Sequence, residues 1–299
     1  MKLHRQPIII TAAAIFVIGI VLAIVTASKK DKVEAEAQKT IPAEMPMNIS
    51  IMLDLSDRLI TKGPNDGMSQ MEKDTSIIGY INGWFINRQI EKKFMSGDMI
   101  HVFSYPNPNI PNISQLQDSL SVDLTLGTGK KLAAINRNKQ TLIAMPDVWH
   151  RSVEAIYTSA LETGRTNNWP GSDVWGFFDR SVKSQCVKQG YRNVLIIMTD
   201  GYLWCKNSWI QTAHREYTGI LPGTIDQQEA ITKIGIDLSD LEVLFLEINP
   251  NKPSDFGKIK QLLTDWCHGM GIRHVDVVCT DLPRNNHNTI TDFLEKDGI

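Results

Sequence analysis

Two apolar runs each end in an aspartate beside small or hydroxylated residues: Asn48-Ile-Ser-Ile-Met-Leu-Asp54-Leu-Ser56-Asp57-Arg58 and Asn193-Val-Leu-Ile-Ile-Met-Thr199-Asp200-Gly201. Short runs of this composition read as buried parallel strands. In open α/β sheets ligands occupy the crevice beyond the carboxyl ends of the strands, so two carboxylates far apart in sequence can converge there. Such a point can hold a cation. Taken singly, an aspartate at a strand end is also an ordinary turn former, and Ser172 after Gly171 is an ordinary helix N-cap. It is the joint appearance of these residues that carries the signal.

The elements that must position them follow from hydrophobic spacing. Residues 48 to 54 predict a first strand, and Met68 to Phe94 a long helix with Ile77, Ile78, Ile81, Phe85 and Ile90 at helical intervals, stopped by Ser96-Gly97-Asp98. Met99 to Tyr105 predicts a second strand, ended by Pro106, Pro108 and Pro111. Leu116 to Leu126 fits a strand or an edge segment. Val148 to Glu162 predicts a helix, Thr163 to Ser172 a loop, and Asp173 to Gln189 a helix capped by Ser172. Val194 to Met198 is the most strand-like run, followed by an irregular aromatic insertion from Trp204 to Gly223. Strand, helix, strand and helix then follow over Leu241 to Ile248, Asp255 to His268, Arg273 to Val278 and Asn288 to Glu295. About five buried strands alternating with helices predict a three-layer α/β/α sandwich with a mostly parallel, Rossmann-like sheet.

The run Asp54-Leu-Ser56-Asp57-Arg58, the Gly171-Ser172-Asp173 loop ahead of a helix, and Thr199-Asp200-Gly201 after a later strand together resemble the von Willebrand factor A domain. In that family a strand-end D-x-S-x-S, a hydroxyl from a second loop and an aspartate from a third form a metal-ion-dependent adhesion site. The resemblance runs in order from Asn48 to the carboxyl terminus. It implies that Asp54, Ser56, Ser172 and Asp200 hold Mg²⁺, which prefers oxygen ligands and can grip an acidic group on a protein partner. Asp57, Arg58, Asp173, Trp169, Tyr202 and Trp204 flank these positions and are the expected partner contacts, the aromatics as anchors of a binding surface.

Arg58 departs from the family pattern, since it replaces the second serine of D-x-S-x-S. A guanidinium cannot ligate a cation. It can turn outward or pair with Asp57 or Asp173 and leave a weakened metal site, with Asp57 as an extra oxygen donor. Alternatively its charge takes the place of the metal's and holds the aspartates together. The first outcome implies a metal-using binding module, the second a metal-free scaffold in an envelope or secretion assembly.

A rival reading uses the same aspartates around Mg²⁺ to hydrolyse phosphate esters. It lacks support, because no nucleophile, general base or phosphate-cradling loop stands out. Gly127-Thr-Gly129-Lys130-Lys131 lacks the earlier glycine of a P-loop and has lysine where a metal-binding hydroxyl belongs. No G-x-S-x-G, H-E-x-x-H or G-x-G-x-x-G occurs. A binding module is therefore expected in preference to an enzyme. The formal net charge of −2, with interspersed signs, gives no basic field for nucleic acid. Cys186, Cys205, Cys267 and Cys279 have no zinc-site spacing.

Ile8 to Ala27 is an uncharged apolar run behind Lys2, His4 and Arg5, long enough for a helix to cross a bilayer core of roughly 30 Å. Residues 1–27 are thus expected to be a membrane anchor or a signal peptide, the length of the run favouring an uncleaved anchor. Residues 28–47, rich in Lys, Glu, Ala and Gln and closed by Pro42 and Pro46, read as a tether, and 48–299 as one domain. A single amino-terminal signal places that domain outside the cytoplasm, periplasmic or beyond. Lys29, Lys30, Lys32 and Lys39 argue for the cytoplasm-facing alternative.

Overall fold

Among the described residues the central sheet has six strands, five of them parallel, in the order β3-β2-β1-β4-β5-β6. The strands are β1 (Met47–Leu53), β2 (Met99–Ser104), β3 (Ser121–Asp123), β4 (Arg192–Met198), β5 (Leu241–Ile248) and β6 (Val275–Cys279). Short β3 alone is antiparallel, pairing with β2. The fold comes from a computed structural model, which describes residues 45–60, 67–126, 131–166, 169–203, 220 and 234–296. The expected anchor, nearly all of the tether, the Gly127 turn and most of the aromatic insertion lie outside the described residues. Among the described residues no helix is long and apolar enough to cross a membrane.

Among the described residues seven helices accompany the sheet: α1 (Gln70–Glu91), α2 (Ile113–Ser119), α3 (Lys131–Gly164), α4 (Val174–Arg180), α5 (Val182–Cys186), α6 (Phe256–Gly269) and α7 (Pro283–Glu295). Because side chains alternate along a strand, β1 sends Ile49, Ile51 and Leu53 to one face and Met52 to the other. The first face packs on Ile77, Ile81 and Phe85 of α1, Trp149 and Val153 of α3, and Ile290 and Phe293 of α7. The second packs on Phe177 and Phe178 of α4, Val182 of α5, and Ile259 and Leu263 of α6. Burial on both faces explains why the parallel strands read as predominantly apolar runs. The chain is an α/β protein with a Rossmann-like sandwich.

Several elements differ from expectation. The ambiguous Leu116–Leu126 stretch holds the end of α2 and then β3. Helix α3 begins well before Val148 and carries Pro146 in its interior. Leu142, Met145, Trp149 and Val153 are buried on both sides of Pro146, so burial of one continuous face outweighs the backbone bond that proline removes. The expected Asp173–Gln189 helix is two short helices broken at Ser181.

Candidate functional site

At the sheet centre the order reverses: the chain leaves β1 for β2 on one side, and β5 and β6 follow β4 on the other. Parallel pairing aligns Leu53 with Met198, so the next residues of both strands emerge together at the carboxyl edge. Such a switch point leaves a crevice that the flanking crossovers do not fill. The loops that carry Asp54, Ser56, Ser172 and Asp200 leave or meet these strand ends.

Asp54 is buried, and its own N–H donates to Met198 O at 3.2 Å. Its Oδ1 accepts the Ser56 N–H at 3.0 Å, and its Oδ2 accepts the Thr199 hydroxyl at 3.0 Å. The second loop joins through an antiparallel bridge in which Gly171 N–H donates to Leu55 O at 3.1 Å. Gly171 has φ +71°, a left-handed conformation open to glycine. Next to it, Ser172 is buried and its Oγ has no hydrogen-bond partner among the described residues. Asp173 N–H bonds Tyr105 O at 2.9 Å and fastens the turn to the chain leaving β2.

Asp200 completes the cluster. It is half-buried, and its Oδ1 accepts the Tyr202 N–H at 3.0 Å. Burial, and then the neighbouring Asp54 carboxylate, push its carboxyl up to about 7. Ser56 is half-buried and Asp57 exposed.

Arg58 points inward, not to solvent and not to Asp57 or Asp173. The 3-10 turn Asp57–Ile60 carries it under the site, where Nη2 donates to Asp74 Oδ2 at 2.6 Å and to Met198 O at 2.8 Å. Its Nε lies 3.7 Å from Asp54 Oδ2. Tyr157 of α3 donates a second hydrogen bond to Asp74 Oδ2 at 2.9 Å. Burial outweighs the neighbouring guanidinium and leaves the Asp74 carboxyl above its ordinary value. The positive charge of Arg58 thus sits between two carboxylates, buried with both.

Asp74 was not among the expected site residues. Its signal in the sequence is its place on the stripe Asp74, Ile77, Ile78, Ile81 of α1: an acid on the buried face of a helix needs a cation. The same helix brings Gln70, whose Nε2 donates to Glu247 Oε2 at 2.6 Å and approaches Asp74 Oδ1 at 3.4 Å. Glu247 also accepts from Thr280 Oγ1 at 2.6 Å and Asn286 Nδ2 at 2.7 Å. A buried polar seam therefore runs beneath the strand ends from Asp54 to β6 and α7. A capping box between Ser69 and Glu72 fixes the start of α1 that supplies Gln70 and Asp74.

The remaining expected positions are placed as follows. Asp173 is buried, and it, not Ser172, caps α4, accepting the Gly176 N–H at 2.8 Å while its other oxygen meets Arg180 at 3.0 Å. Trp169 is half-buried against the core. Tyr202 is half-buried, and its hydroxyl accepts the Asn251 N–H at 2.9 Å. Ile60, 60% exposed, stands just beyond Arg58. Trp204 lies outside the described residues.

Among the described residues no group of three or more His, Cys, Asp or Glu is placed to hold a metal ion. No family model matches the chain, and no curated protein matches it.

Proposed function

We propose that this chain is a membrane-tethered protein-binding module with a von Willebrand factor A-like domain, whose strand-end site works without a divalent cation because Arg58 supplies the positive charge from inside. One observation carries the metal-free reading. The Arg58 guanidinium lies 3.7 Å from Asp54 and 2.6 Å from Asp74, on the position where the family pattern has a hydroxyl ligand. A cation bound beside it would meet a buried positive charge and a carboxylate whose two oxygens already accept hydrogen bonds from Ser56 and Thr199. The hydroxyls of Ser56 and Ser172 and the carboxylate of Asp200 are too little negative charge to offset that repulsion.

The family reading is supported by the order of the three loops along the chain, their meeting at the β1/β4 switch point, and the Leu55–Gly171 bridge between two of them. Without a metal, the partner chemistry inverts. Exposed Asp57, half-buried Asp200 and the Ser172 hydroxyl, which has no partner among the described residues, suit a basic or hydrogen-bond-donating group on a protein surface, with Ile60 and Tyr202 as apolar rim. In this reading the apolar run within residues 1–27 is the anchor, residues 28–47 are the tether, and the domain faces outside the cytoplasm.

Thermal melts of the purified full-length chain in Mg²⁺, Mn²⁺ or EDTA test the metal-free reading. The expected result is one melting temperature in all three, since a ligand that binds only the folded state raises it by mass action. A rise in millimolar Mg²⁺ that Asp200→Ala removes would overturn it. For the binding role, pull-downs from solubilised membranes should retain a protein with wild type and lose it with Asp57→Ala. Identical retention by both sinks the proposed surface.

A further inference from the structure

Helix α3 ends at Gly164, and the indole of Trp169 lies across that end. A β-carbon on Gly164 would stand 2.5 Å from Cη2 and Cζ2 of the ring and 2.6 Å from Cε2, well inside contact distance. The Gly164 backbone is not left-handed, and helix propensity alone favours alanine there. What requires glycine is the close approach of the ring.

Trp169 is half-buried and packs on the core face shared by α1 and α3. Two residues later the chain enters the turn Gly171 to Asp173. Three contacts with three different parts of the fold hold this segment: Trp169 on the end of α3, the Gly171 N–H on Leu55 O at 3.1 Å, and the Asp173 N–H on Tyr105 O at 2.9 Å. Between the last two stands Ser172, whose buried hydroxyl has no hydrogen-bond partner among the described residues. Its side chain makes no bond there that fixes it, so its position is set by the residues on either side. A group presented to a partner depends on such supporting residues for its geometry.

We propose that Trp169 is a positioning residue: seated on Gly164, it sets the Gly171 to Asp173 turn and with it the Ser172 hydroxyl, and it acts on the partner through that turn without touching it. This rests on the strand-end binding surface proposed above and makes the end of α3 a part of its support.

Amide hydrogen exchange on the purified full-length chain, read by mass spectrometry on peptides covering 169–173 and 48–54, tests the seat without any partner. Trp169→Ala should speed exchange in the first peptide about tenfold and leave the second unchanged, because a lost apolar anchor opens the turn and not the sheet. Gly164→Ala should do the same although it keeps the indole, and it should melt below wild type, against helix propensity. Trp169→Phe, whose ring can still lie on Gly164, should restore most of the protection. Unchanged exchange at 169–173 in Trp169→Ala, or a higher melting temperature for Gly164→Ala, overturns the proposal. Faster exchange in both peptides alike also overturns it, since Trp169 would then serve the whole fold. In pull-downs from solubilised membranes, a protein held by wild type should be lost with Gly164→Ala and kept with Trp169→Phe. Equal retention by Gly164→Ala and wild type overturns the positioning role, whereas no protein retained by wild type overturns the binding surface and leaves the seat to be decided by exchange.

Discussion

Arg58 and Asp74 form an ion pair at 2.6 Å in which neither side chain reaches solvent, the two being 1% and 0% exposed. Sixteen residues apart, they join the loop after β1 to the first turns of α1. The strand-end site and the helix that covers it are thereby one electrostatic unit. Removing one member strands a buried charge, which typically costs about 3–5 kcal/mol. Arg58→Ala and Asp74→Ala should each lose stability on that scale in urea unfolding. The double variant Arg58→Met/Asp74→Leu should cost clearly less than the two single losses added together. Strict additivity would mean that the pair is not coupled.

Asp200 sets a pH dependence whose sign follows from its raised carboxyl. Its ordinary value is 3.8 and its folded value about 7, so between these the folded chain holds a proton that the unfolded chain has released. Stability therefore falls as pH rises from about 4 through 7 and levels off above, where the group is ionised in both states. Asp200→Asn should flatten that fall and melt higher than wild type at about pH 8. Parallel melting curves for the two proteins across this range would contradict the assignment.

Glu247 tests the buried seam. It accepts from Gln70, Thr280 and Asn286, and it does so from a left-handed backbone at φ +66°, unusual for a side chain of this size. Glu247→Ala deprives three buried donors at once and should cost about 3 kcal/mol or more. Glu247→Gln keeps an acceptor oxygen and should cost less. Denaturant midpoints rank the two, and an equal loss would show that backbone strain or packing, not hydrogen bonding, governs the position.

Gly201 and Gly190 separate space from backbone conformation. Both have positive φ, +94° and +80°. A β-carbon at Gly201 would lie 2.9 Å from Ile259 Cγ2 and 3.1 Å from Ile248 Cγ2, whereas at Gly190 it meets nothing within 4 Å. Gly201→Ala should therefore cost about 2–4 kcal/mol, combining strain with overpacking in the apolar layer under α6. Gly190→Ala should cost about 1 kcal/mol from conformation alone. Thermal unfolding of the two variants gives the comparison, and equal losses would contradict the close packing at Gly201.

The central strands were legible because burial on both faces writes a largely apolar run, broken only by Ser50 in Ile49–Leu53 and unbroken in Val194–Met198. The position of Asp54 just past β1 followed from the same pattern. The partner of Arg58 was not legible, because pairing across a helix and a strand end depends on tertiary packing, and Asp57 and Asp173 were nearer candidates by sequence and motif. Once Asp173 is seen to cap α4 and to meet Arg180, it is no longer free for Arg58. The early start of α3 was hidden by Pro146, a local breaker whose penalty the buried flanking residues override. Ser172 and Asp173 are both good caps by type, and only the backbone path decides between them. The seam through Gln70, Glu247, Thr280 and Asn286 spans more than two hundred residues of chain, and no local periodicity reports it.

Strand β3 is three residues long, runs against its neighbour, and ends in an exposed aspartate. A border this brief offers an incoming chain too few free amides and carbonyls to zip onto, and the carboxylate discourages stacking of like copies. On that flank the sheet is closed to runaway growth, so copies of the chain held close together do not polymerise through it.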